Sequence, residues 1–107
     1  MHTGLLVEWD NPKCEERNAK RKKFVAEVIR PYWDKLLEKK NIKVEPTGWA
    51  ENTGHFVVLY NFETVEDFSK VWGDERWHQN VARWTYLVDN ARMRLLRSYV
   101  TMPEDLK

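Results

Sequence analysis

Residues 55–62, HFVVLYNF, constrain the fold more than any other stretch of this chain. Read with a period of two, Phe56, Val58, Tyr60 and Phe62 fall on one side, with Val57 and Leu59 on the other. The run is short for a buried helix and rich in β-branched and aromatic residues, so it reads as a strand. A strand apolar on both faces is stable only inside a sheet, with a neighbour on each edge and cover above and below. This segment is therefore expected at the centre of a sheet.

The flanking segments supply the partners. Residues 2–9 alternate as a first strand, with Leu5, Val7 and Trp9 opposed by Leu6 and Glu8. Asn11 is a good N-cap and Pro12 a good first helical residue, so the spacing predicts a helix running from there to Lys40, stopped at Asn41. Val25, Val28, Ile29, Tyr32, Trp33 and Leu36 give that helix one apolar stripe. Pro31 lies inside it and predicts a kink. Residues 42–51 read as a second strand, demoted to an edge or bulged position by Pro46 and Gly48. Asn52-Thr53-Gly54 is a turn.

After the central strand, Thr64 and Asp67 have the spacing of a capping box. Phe68, Val71 and Trp72 form the buried face of a short helix that Gly73 ends, and Asp74 caps the next helix. Trp77, Val81, Trp84 and Val88 follow as one stripe. Asp89-Asn90 reads as a turn into a last strand over 91–100, and a polar tail follows. The order is β-α-β-β-α-α-β. That is the ferredoxin-like α+β sandwich: a four-stranded antiparallel sheet, its second helix broken near Gly73, in a single domain over residues 1–107.

Charge narrows the function classes. Eighteen basic residues stand against 17 acidic ones, for a net of +1, which argues against a dedicated nucleic-acid binder. The basic run at 17–23 has no interleaved aromatic residue and reads as a solvated helix face. Cys14 is the one cysteine, which excludes an internal disulfide and a cysteine-based zinc site and suits a reducing interior. The N-terminus lacks a basic region before its short apolar run, and no stretch is long enough to span a membrane. The expectation is a cytoplasmic chain with neither a nucleic-acid nor a membrane partner.

Neither side of the sheet is cleanly polar in sequence. A monomer with one open sheet face would expose a large apolar patch, and pairing two such faces in a twofold homodimer removes it. Glu8 and Arg94 are expected to pair there. The strand-helix-strand opening, the run HFVVLYNFETVEDFSKVW and the closing RMRLLRSYV resemble the dimeric α+β barrel superfamily across nearly the whole chain. That group includes stress-responsive barrel proteins, antibiotic-biosynthesis-type monooxygenases and haem-degrading monooxygenases. The resemblance implies a dimer with a pocket between each sheet and its helices.

The pocket suggests the candidates. Trp9, Tyr60, Trp72, Trp77 and Tyr99 are wall residues for an apolar or amphipathic ligand, with Arg97 or His78 as a polar anchor. His78 lies one residue off the helix stripe, about 100° around the helix. His78 and His55 are the candidate catalytic residues, because histidine titrates near neutral pH. Trp77, Val81, Trp84 and Val88 read first as packing. No nucleophile elbow, phosphate loop or metal-ligand spacing is present in the sequence. Haem-degrading members of the resembled group use a first-strand Asn, a Trp and a helix His. Here the first strand has no Asn, since Asn11 lies beyond it, while Trp72, Trp77 and His78 are present. No cofactor is required by the sequence, and haem through His78 stays open. Ligand binding is the leading reading. A cofactor-independent or haem-using monooxygenase is the alternative, and a protein–protein interaction module is the third.

Overall fold

The computed structural model describes residues 3–97. The elements are β1 (Thr3–Asp10), α1 (Glu15–Phe24), a wide helical turn (Val25–Ile29), α2 (Arg30–Lys40), β2 (Val44–Ala50), β3 (His55–Phe62), α3 (Val65–Trp72), α4 (Glu75–Thr85) and β4 (Asp89–Arg97). The strands form one antiparallel sheet in the order β2-β3-β1-β4. The strand predicted to be central, β3, has β2 on one side and β1 on the other. Pro46 and Gly48 lie on β2, an edge strand, where a missing backbone N–H is tolerated.

Register assigns the two faces. Residues directly opposite in antiparallel pairs share a face. Thr3, Leu5, Val7 and Trp9 stand opposite Phe62, Tyr60, Val58 and Phe56, and this is the face the helices cover. Three contacts show it: Trp84 of α4 meets Trp9 edge to face at 5.3 Å, Trp33 of α2 meets Tyr60 at 5.6 Å, and Phe68 of α3 meets Phe62 at 5.6 Å. The core comprises Leu5, Val7, Phe24, Leu36, Ile42, Phe62, Phe68, Val71, Trp77, Trp84 and Val88. The Cα trace is only 16 Å through its thinnest direction, which is one sheet and one layer of helices.

The other face carries Leu6 and Glu8 of β1, Val57 and Leu59 of β3, Trp49 of β2 and Leu96 of β4, with no helix over it. Trp49 and Leu96 are 54% and 42% exposed. Gly4 lies at the same level, and a Cβ there would approach Leu59 Cδ1 to 3.0 Å. Glycine thus lets the leucines of neighbouring strands close over β1.

Several local expectations are corrected. The first helix starts at Glu15, not at Asn11-Pro12, and its N-cap position is Cys14 without a side-chain bond. Asn11 is diverted, because its Oδ1 accepts the Trp9 indole N–H at 3.0 Å. Pro31 is absorbed by a wide turn just before it, in which the Arg30 N–H reaches back five residues to the Val25 carbonyl. The helix does end at Lys40: Asn41 takes a left-handed φ of 50°, and the Ile42 N–H closes onto the Leu37 carbonyl at 3.0 Å.

Trp72 is 46% exposed rather than part of a buried face, because α3 buries only Asp67, Phe68 and Val71. Val88 lies in the loop after α4, not on the helix, yet is 3% exposed. Asp89 and Asn90 open β4 instead of forming the turn, and the β1–β4 register slips between Glu8 and Asp10. The basic run is not uniformly solvated. Arg17 donates to the Tyr86 carbonyl at 3.0 Å, the Val88 carbonyl at 2.8 Å and Asp89 Oδ1 at 2.6 Å, which ties α1 to the α4–β4 loop. The expected extension of the last strand to residue 100 lies outside the described residues.

Candidate functional site

The helix-side layer of the sheet is built from aromatic residues that strand alternation puts on one face. Trp9 lies parallel to Phe56 at 5.7 Å and edge-on to Trp84. Tyr60 is met by Trp33. Trp9, Phe56 and Tyr60 are half-buried, although they face the helices. The Tyr60 hydroxyl has no hydrogen-bond partner among the described residues, and burial holds its pKa above the ordinary tyrosine value.

The helix break forms a second group. Phe68 stacks on Trp72 at 5.5 Å, Trp72 meets Trp77 at 5.3 Å, and His78 stands edge-on to both Trp72 and Trp77. His78 donates from Nε2 to the Trp72 carbonyl at 2.6 Å. That bond satisfies a carbonyl at the end of α3, so it latches α4 to α3 across Gly73. Asp74 completes the corner: its Oδ1 accepts the Trp77 N–H at 3.3 Å and the Tyr32 hydroxyl at 2.9 Å. Burial, then Asp74, push the Tyr32 pKa upward.

The sequence candidates therefore separate. Trp9 and Tyr60 share the helix side of the sheet. Trp72, Trp77 and His78 cluster at the helix break, with His78 exposed on the outer side of α4. Arg97 stands opposite Thr3 on β4, in register with the helix-side residues, and is exposed with its neighbour Leu95. Tyr99 lies outside the described residues. A haem ligated by His78 does not fit this placement: Nε2 is engaged by a backbone carbonyl, and the ring does not face the layer between helices and sheet. On the inner face of α4, one turn from both Trp77 and Trp84, is Asn80, whose amide nitrogen is not an iron ligand.

His55 is on the open face. Its Nδ1–H donates to Asp10 Oδ1 at 2.8 Å, and Nε2 faces Glu8 Oε1 at 3.4 Å. Asp10 Oδ2 accepts from Asn90 at 2.8 Å, and Glu8 Oε2 accepts from Arg94 at 2.7 Å, the pair that strand alternation predicted. The bond to Asp10 and then Glu8 raise the His55 pKa, while Asn90 and His55 lower that of Asp10 and Arg94 and His55 lower that of Glu8. The set is a charge-balanced cluster across β1, β3 and β4. A cleft of about 800 Å³ with mixed polar and apolar walls adjoins it at the sheet end, lined by Asp10, Asn11, Pro12, Arg17, Phe56 and Asn90 among others.

Sequence reading missed Asn80, Arg17 and Asp10. Asn80 could have been found, as a polar residue inside an otherwise apolar helical stripe. Arg17 and Asp10 carried no local signal, because their partners are distant in the chain.

No family model matches the chain, and no curated protein matches it in sequence. Solved structures do match its fold. Rv0793 from Mycobacterium tuberculosis superposes with a TM-score of 0.60 at 6% identity, over 96% of this chain and 100% of that one. SnoaB, a cofactor-independent oxygenase from Streptomyces nogalater, gives 0.56 at 12% identity, covering 96% and 98%. A NIPSNAP family protein from Agrobacterium tumefaciens gives 0.55 at 13% identity, covering 94% and 89%. The class is thus an α+β protein of ferredoxin-like fold. Within that class, its structural neighbours include antibiotic-biosynthesis-monooxygenase and NIPSNAP structures. At these identities the likeness is one of fold. No helix among the described residues is long and apolar enough to cross a membrane.

Proposed function

We propose that this chain binds an apolar or amphipathic small molecule between its sheet and helices, and that two copies pair through the open sheet face. The observation that carries the ligand reading is the helix-side layer itself. Trp9, Phe56 and Tyr60 face the helices yet remain half-buried, and the Tyr60 hydroxyl among them has no hydrogen-bond partner among the described residues. Apolar walls with a few placed polar groups are the usual make-up of ligand sites. Trp9 and Tyr60 form the floor and buried Trp77 lies toward one end, while Trp72 and His78 are exposed at the helix break, where they could meet only a part of the ligand that emerges there. Arg97 stands at the uncovered edge of β4, where it suits the head of an amphipathic ligand. Tyr99, outside the described residues, is retained as a wall residue on its sequence position alone.

The dimer reading rests on the apolar residues of the other face: Trp49 and Leu96 are exposed, and Leu6, Val57 and Leu59 between them are half-buried. Water contact with such a patch is unfavourable, and a second copy offers a matching surface.

Oxygenase activity is the second reading, favoured by the fold shared with SnoaB. The candidate bases do not suit it well. A raised pKa makes Tyr60 a proton holder, His55 is on the opposite face of the sheet, and His78 is bound to a carbonyl. Binding without turnover is therefore the better account. An interaction module remains the third reading, for which the open face would be the contact surface.

Native mass spectrometry of freshly purified protein, beside the same sample denatured, tests these readings. The expected result is a dimer carrying extra mass that denaturation releases. A monomer would overturn the pairing. A dimer without added mass that also takes up no aromatic probe would overturn the ligand reading.

A further inference from the structure

The open sheet face is apolar over only part of its area. Register puts Trp49, Val57, Glu8 and Arg92 in one row across β2, β3, β1 and β4. Leu59, Leu6 and Arg94 stand in the row on one side, and His55 faces Asp10 in the row on the other. Any partner that covers exposed Trp49 therefore also covers the ionised groups beside it. Those groups form one connected set. Arg94 reaches Glu8 at 2.7 Å, and His55 stands between Asp10 at 2.8 Å and Glu8 at 3.4 Å. The Glu8 side chain is 17% exposed and that of His55 26% exposed before anything covers them.

The charge of the set depends on one proton. Glu8 and Asp10 carry two negative charges and Arg94 one positive charge, so protonated His55 makes the set neutral and deprotonated His55 leaves one net negative charge. The surrounding ions do not alter that difference. Arg92 on β4 and Glu51 in the β2–β3 turn are both exposed and opposite in sign. Glu45 is two rows away from Glu8, and Asp89 is paired with Arg17. Lys13, the other cation near Asp10, is exposed on the loop beyond β1, where water and salt screen it.

We infer that pairing of two copies through this face takes up a proton at His55 in each, so that the dimer is tight while the cluster is neutral and loosens as pH rises. This rests on the pairing proposed above. Burial penalises a net charge far more than a neutral, hydrogen-bonded set. Covering the face therefore favours the imidazolium, although burial of an isolated histidine would do the opposite. His55 then holds its proton more strongly in the dimer than in the monomer. Its contribution to pairing is complete below the monomer value and is lost as pH rises through the dimer value. Asp10 and Glu8 already raise the His55 pKa within one chain, and their own lowered values keep them ionised over that range.

Sedimentation velocity over a dilution series, at about pH 6, about pH 7.5 and about pH 9, gives the dimer Kd of the wild-type chain, with circular dichroism of the same samples to follow the fold. Kd should rise about tenfold or more from the lowest pH to the highest, with the fold kept. His55→Gln should pair weakly at every pH, because its cluster always carries the net charge. Adding Glu8→Gln to that variant restores neutrality, so the double variant should pair tightly at every pH. Calorimetric dilution of the wild-type dimer near neutral pH, in buffers of different ionisation enthalpy, counts the protons released and stands even if the variants fail to fold. A wild-type Kd that is flat or falls with pH, a dilution heat equal in all buffers, a double variant as weak as His55→Gln, or loss of the fold together with the dimer would overturn the proton coupling and leave the pairing standing. A monomer at every pH and concentration would overturn both.

Discussion

Removal of the Arg17 guanidinium should cost this small domain a large part of its stability. Its three bonds reach the carbonyls of Tyr86 and Val88 and the carboxylate of Asp89, at 3.0, 2.8 and 2.6 Å. Hydrogen bonds to a charged group contribute about 1.5–3 kcal/mol when well buried. The Arg17 side chain is 36% exposed, so about 1 kcal/mol for each carbonyl bond is the fitting value. The Asp89 carboxylate is 44% exposed, and such a pair contributes about 1 kcal/mol at most. Arg17→Met, which keeps the apolar stem, should therefore lose about 2–3 kcal/mol and lower Tm by about 10 °C or more. Arg17→Lys keeps the charge but not the fork, so it should recover only a minor part. Urea and thermal unfolding followed by circular dichroism, at one fixed protein concentration, measure both. A double-mutant cycle with Asp89→Asn should give a coupling under about 1 kcal/mol. An Arg17→Met loss below about 0.5 kcal/mol would refute the idea that this clamp holds α1 to the α4–β4 loop.

Two further predictions concern titration and capping. His55 should titrate above its ordinary value of about 6.5 in an NMR pH series, since Asp10 and Glu8 both favour its charged form. Its contribution to stability is then complete below about pH 6.5 and lost as pH rises through the raised folded pKa, while the lowered values of Glu8 and Asp10 give a contribution lost as pH falls through theirs. His55→Gln should flatten the alkaline limb of the stability profile, and an unchanged limb would count against the cluster. Asp74→Ala should cost about 2 kcal/mol and Thr64→Ala about 1 kcal/mol in urea unfolding, because Asp74 accepts from both Trp77 N–H and Tyr32 whereas Thr64 accepts only from Asp67 N–H at 3.1 Å. The reverse order would show that the Tyr32 bond adds nothing.

Features legible in the sequence were those governed by neighbours in the chain. Alternation over 55–62 marked β3 as central, Pro46 and Gly48 marked β2 as an edge, and Thr64, Gly73 and Asp74 marked the helix break. Capping errors had a tertiary cause. Asn11 is a good cap by type, but the Trp9 indole claims its oxygen, and the helix begins three residues beyond Pro12. Trp72 fitted an apolar helical stripe, yet the width of the face that α3 can press on the sheet left it half-exposed.

The candidate site divided along the same line. Residue type and period were enough to put Trp9 and Tyr60 on one face and to make Trp77 and Trp84 packing residues. They could not place His55 between two carboxylates, because Asp10 is 45 positions away and becomes its neighbour only through the β1–β3 register. They could not show that His78 turns to a carbonyl, or that Asn80, which helical spacing turns inward, lacks an acceptor there. Sequence periodicity reports which face of an element a residue occupies. What stands across from that face depends on how distant segments dock, and at Arg17, His55 and Asn80 docking alone decided which polar groups are satisfied and which is left to meet something else.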